Sequence, residues 1–170
     1  MNVKPTDADA ANWDAVEEAV EQLQEGRFLE AIIELRRVIL ADAGNPYAFH
    51  FLGIALFESG ENAAARDAFR AALRLAPTHL GARVGLSHAL RLLGDPAGAL
   101  REARMILRTT PKDADALHAA GLAQIALGEK EAARRDLSRF LETGPEYEAH
   151  VEVQNILQML GAGNDDGEER

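Results

Sequence analysis

Gly26, Gly60, Gly94 and Gly128 stand 34 residues apart, and Ala31, Ala65, Ala99 and Ala133 keep the same step, as do Pro77, Pro111 and Pro145. A period of this length means one supersecondary unit built four times, because a unit so small cannot bury its apolar face alone and must stack on copies of itself. The unit over 46–79 is the clearest. Phe49, Leu52, Gly53 and Leu56 make one stripe at helical spacing, and Ala65, Phe69 and Ala72 make a second beyond Gly60. Two antiparallel amphipathic helices joined by a tight turn satisfy both stripes. Gly53 has reason to be small, since a side chain there would hold the paired helix away, and Pro77 ends the second helix.

The other units vary the plan. In the first, 12–45, Ile32, Leu35, Val38 and Ile39 face inward on the second helix. Glu18 and Gln22 stand where later units carry apolar residues, as expected of a polar outer face on a terminal repeat. The third, 80–113, puts Arg83 in the place of Phe49 and Ala103 in that of Phe69, while Asp95–Pro96 supplies an N-cap and a first-turn proline. The fourth, 114–147, has Gln124 where an apolar residue is expected. A last amphipathic helix, 148–160, carries Val151, Ile156, Leu157 and Leu160 and is expected to cover the open end of the stack. Residues 1–11 are expected to be a disordered leader and 161–170 a disordered acidic tail.

Composition excludes more than it selects. The absence of cysteine removes disulfides and thiolate metal sites. No apolar run approaches the roughly 20 residues of a membrane span, and the polar N-terminus lacks the apolar segment of a signal peptide, so a cytoplasmic location is expected. The net charge of −10 argues against a nucleic-acid partner, although 13 basic against 10 acidic residues leave the stretch Gly60–Gly144 locally positive. An excess of Arg over Lys reads as a GC-rich bacterial genome. No phosphate-binding glycine loop and no nucleophile motif occurs, so no catalytic residue and no cofactor is expected. The carboxylates follow solvent-facing spacing. His50, His88 and His118 have neither i,i+4 spacing nor an acidic companion in a ligand motif, so no metal is expected.

Phe49, Leu52–Gly53, Leu56, Ala65-x3-Phe69 and Pro77 resemble the tetratricopeptide repeat pattern W-x2-L-G-x2-Y, A-x3-F, P, and the resemblance runs over about 12–160. It implies an all-α fold, a right-handed α-solenoid of four helix-turn-helix repeats plus a C-terminal capping helix. It also implies a concave groove lined by first helices. Carried over, the groove residues are Trp13, Val16, Val20, Tyr47, His50, Phe51, Ile54, Phe57, Val84, His88, Arg91, His118, Leu122 and Ile125. The charged clamp that some members close on the terminal carboxylate of heat-shock chaperones is absent, its places being filled by residues such as Val16, His50, Ile54 and Leu122.

The function so implied is a non-catalytic scaffold that holds a peptide or helix of another protein, with no small-molecule substrate. Two alternatives stay open: a chaperone similar to those of type III secretion translocators, and a self-assembling homo-oligomeric scaffold. Arg36, Arg70 and Arg104, again 34 apart, with Arg66, Arg74, Arg101 and Arg108 nearby, read as a basic ridge along the helix backs, with Arg70 and Arg74 facing Asp67.

Overall fold

A computed structural model describes residues 7–162, and the described residues form ten α-helices and no strand: α1 (Asp7–Asp14), α2 (Glu17–Gln24), α3 (Phe28–Ala41), α4 (Pro46–Glu58), α5 (Asn62–Leu75), α6 (Leu80–Leu92), α7 (Pro96–Thr109), α8 (Ala114–Ala126), α9 (Lys130–Glu142) and α10 (Tyr147–Ala162). The period sets the punctuation. Gly26, Gly60 and Gly128 take φ between +73° and +80°, a left-handed conformation that costs any other residue strain. After α4 the Gly60 N–H donates to the Phe57 carbonyl (2.9 Å) and the Glu61 N–H to that of Leu56 (2.8 Å). These two bonds satisfy carbonyls left open at the helix end. At the other end of each pair a capping side chain recurs with the same step: Asn45, His79 and Asp113 accept backbone N–H groups at the starts of α4, α6 and α8.

The chain divides into two compact units, Met1–Leu93 and Gly94–Arg170. The division falls inside the third repeat, where Arg83 and Ala103 replace the aromatic pair of the second. In the first unit α4 packs against α3, α5 and α6. Its centre is the Phe69 ring, 1% exposed. A Cβ at Gly53 would come within 2.6 Å of that ring, and one at Gly85 closer still. Phe69 is thus clamped between two bare stretches of backbone, on α4 and on α6. Gly53 was expected to be small; Gly85 completes the slot. In the second unit α8 packs on α7 and α9, α10 packs on α9, and Leu137 fills the equivalent space against Gly121.

Several expectations are corrected. Helix α1 begins at Asp7, inside the stretch expected as leader; residues 1–6 lie outside the described residues, as do 163–170 of the expected tail. The first helix of the first repeat is not continuous: α1 and α2 meet at Ala15–Val16, and Val16 turns into the core at 0% exposure. Val16 is therefore no groove residue. Gln22, expected on an outer face, is buried, with its amide 3.4 Å from the Glu18 carboxylate. Helix α1 lies against α4 of the second repeat. Asp136, grouped with the solvent-facing carboxylates, is 4% exposed and lies 2.8 Å from Arg104 and 3.3 Å from Arg139. Asp67 pairs directly with Arg66 at 2.8 Å, and Arg70 and Arg74 act on it at longer range.

Candidate functional site

In the first unit α1, α4 and α6 bring most of the expected groove residues onto adjoining faces. The turns of α4 set Tyr47, Phe51 and Ile54 at i, i+4 and i+7, all half-buried. The Asn45 side chain positions this helix: its carbonyl accepts the N–H groups of Tyr47 (2.9 Å) and Ala48 (3.2 Å), and its amide donates to the Asn12 carbonyl at 2.8 Å. That last bond ties α1 to α4 and brings Trp13 across. The Trp13 ring meets Tyr47 and Phe51 edge-on, both at 5.8 Å between centroids, an arrangement that aromatic quadrupoles favour. Trp13 remains 44% exposed. Farther along the face Phe57 lies 6.4 Å from His88 of α6, with Val84 and Arg91 half-buried on the same helix. Val20 is half-buried on α2.

His50 does not face outward as a ligand-orienting group would. Its ring is wedged between Phe51, Phe69 and His79, with the His79 centroid 4.4 Å away. Burial, and then the neighbouring His79, push it down to about 4. His79 is lowered as well, by burial, against the opposing effect of its own backbone hydrogen bond; its Nδ1 accepts the Ala82 N–H at 3.2 Å. Both imidazoles are therefore neutral near pH 7, and they serve as packing and capping groups. No helical stripe includes His79, and only its 34-residue step from Asn45 and to Asp113 marks it in the sequence as a cap.

The segment beside this face is acidic, although its last acid, Glu25, pairs with Arg27 at 2.5 Å. From Asp7 to Glu25, across α1 and α2, the chain has seven acidic residues and no Lys or Arg. The second unit carries its own first-helix face: His118, Leu122 and Ile125 are half-buried at i, i+4 and i+7 on α8, and the His118 ring stacks on Phe140 of α9 at 5.0 Å. Among the described residues no group of three or more His, Asp and Glu could hold a metal ion, and no helix is long and apolar enough to cross a membrane.

Two tetratricopeptide repeat family models match the chain, over residues 16–80 and 56–125. No curated protein matches it. Among solved structures it is similar to MamA 41-end from Desulfovibrio magneticus RS-1, at 22% identity and TM-score 0.77, over 91% of this chain and 86% of that one. It is similar to YrrB, a TPR protein described as having an unusual peptide-binding site, at 17% identity and TM-score 0.70, over 91% and 78%. The first TPR of Spaghetti (RPAP3), bound to the HSP90 peptide SRMEEVD, matches at 23% and 0.60, over 68% and 93%. At these identities the likeness is one of fold.

Proposed function

Since the chain belongs to the tetratricopeptide repeat family, we propose that it is a non-catalytic adaptor that holds a short segment of a partner protein on the face of α4 and α6 in its first unit. The observation that carries this reading is the half-exposed aromatic face of Trp13, Tyr47 and Phe51, continued by Ile54, Phe57 and Val84. Aromatic side chains left partly in water on the inner helices of repeats supply large contact area at low entropic cost, and such residues dominate binding energy. The acidic run along α1 and α2 adds a preference: the segment carries basic residues beside its apolar anchors. His88 and Arg91 border the far end, where a backbone carbonyl or an acidic group of the segment is received.

The test is direct. Tyr47→Ala and Phe57→Ala each remove an anchor worth about 2 kcal/mol, roughly thirtyfold in Kd. Recovery of a partner in affinity purification should drop for both variants while the far-ultraviolet circular dichroism stays unchanged. A partner retained equally by both variants assigns binding to another surface.

A further inference from the structure

One apolar groove of the second unit lies away from α8's half-exposed face. A cavity of about 710 Å³ runs along the outer side of α7, floored by Leu100 and Met105 and closed at one edge by Leu127, beyond the end of α8. Met105 and Leu127 are both exposed apolar residues, and they lie off the α7 face that packs internally, which is built from Ala99, Ala103, Ile106 and Leu107. Arg101, Arg104 and Arg108 line the groove at i, i+3 and i+7, so they form one row. Arg104 is held in place: its guanidinium lies 2.8 Å from the buried Asp136 carboxylate of α9. Arg139 also reaches Asp136 and donates to the Pro111 carbonyl at 2.6 Å. Asp136 offsets part of the Arg104 charge, but Arg101 and Arg108 are exposed on either side of it, so the row stays positive beside apolar side chains and suits a negatively charged partner. Glu129 is the single acid on the lining.

We propose that this groove is a second docking surface, whose occupant is an acidic amphipathic helix of a partner protein. Charge complementarity selects the acid, and the shape selects the helix. The span from Ala97 to Arg108 is about 16 Å of α7, the length of three helical turns laid alongside. A helix so placed seats apolar residues at i, i+3, i+4 and i+7 on Leu100, Met105 and Leu127, and turns its Glu or Asp flank to the arginines. The lining has no aromatic platform on which a nucleic-acid base could stack.

The probe is a fluorescein-labelled helical peptide of about five turns, roughly 18 residues, with Leu at i, i+3, i+4 and i+7 and a Glu flank, titrated into the full chain by anisotropy. Its counterpart has Gln in place of every Glu. The acidic peptide should bind at least about tenfold more tightly than the Gln peptide, weaken as salt rises, and lose at least about tenfold on Arg101→Glu with Arg108→Glu, two exposed sites that leave the helical signal unchanged. Tyr47→Ala should leave it untouched, which separates this surface from the face in the first unit. Equal binding of the two peptides, or binding indifferent to the double reversal, overturns the proposal. So does a double reversal that abolishes binding to vesicles of one-quarter phosphatidylglycerol in phosphatidylcholine, or that converts a self-associating chain to a monomer, since these give the groove to a membrane or to a second copy.

Discussion

Substituting Gly85 by Ala tests the packing at the centre of the first unit. The added methyl meets the Phe69 ring at well under van der Waals distance, and the backbone of α4 at Gly53 already lies close against the same ring. Overpacking a filled core costs about 1–3 kcal/mol, and a ring only 1% exposed and held close by two helices belongs at the upper end. Alanine in a helix interior returns about 1 kcal/mol relative to glycine. The net loss is then about 2 kcal/mol, a fall of roughly 8–16 °C in Tm for a unit of this size. In a Phe69→Leu background the slot is wider, and Gly85→Ala should become neutral or stabilising by up to about 1 kcal/mol. Trp13 is the chain's one tryptophan and lies in the first unit, so its fluorescence follows that unit through a thermal melt. If Gly85→Ala costs as much in the Phe69→Leu background as in the parent chain, or stabilises the parent chain, the two-glycine clamp is wrong.

The pH response should come from His50. Its folded value is about 4 against the ordinary imidazole value of 6.5, so the stability it allows is fully present above pH 6.5 and is lost as pH falls from 6.5 toward 4, because the unfolded chain takes up the proton first; the loss is about 2 kcal/mol by about pH 5. His50→Phe should flatten much of this slope in urea titrations at about pH 7 and pH 5, and an unchanged slope would refute the assignment. In the second unit Gln124 is 1% exposed and its Oε1 has no hydrogen-bond partner among the described residues. Gln124→Leu should stabilise that unit by about 1 kcal/mol, read as slower amide exchange along α8 and α9; faster exchange would show that the amide is bonded in solution.

Much of the fold was legible because its signals are local and repeat. Gly60 marks the end of α4 without reference to any other segment, and Leu52 and Leu56 mark the face that α4 buries. The candidate site was legible to a lesser degree. Tyr47, Phe51 and Ile54 follow from the helical spacing of α4, but the same spacing treats His50 and Phe57 as equally outward. His50 is instead enclosed because His79, the last residue of its own repeat and the cap of α6, comes against it and Phe69 lies close by. Val16 was misplaced for a related reason: a continuous first helix would have turned it outward, and the interruption at Ala15–Val16 turned it in.

The period, the pairing of helices, the glycine turns and the apolar stripe of each helix are all properties of the linear chain, since they depend on residues within one 34-residue unit. Folding in three dimensions was needed to settle that Gly85 and Gly53 share one aromatic ring, that Asp136 is buried under Arg104, and that Trp13 returns through α1 onto Tyr47 and Phe51. Each of these joins residues from different units or elements. Whether a side chain is wet or dry depends on what packs over it, and a spacing rule that treats one helix at a time has no way to count that cover.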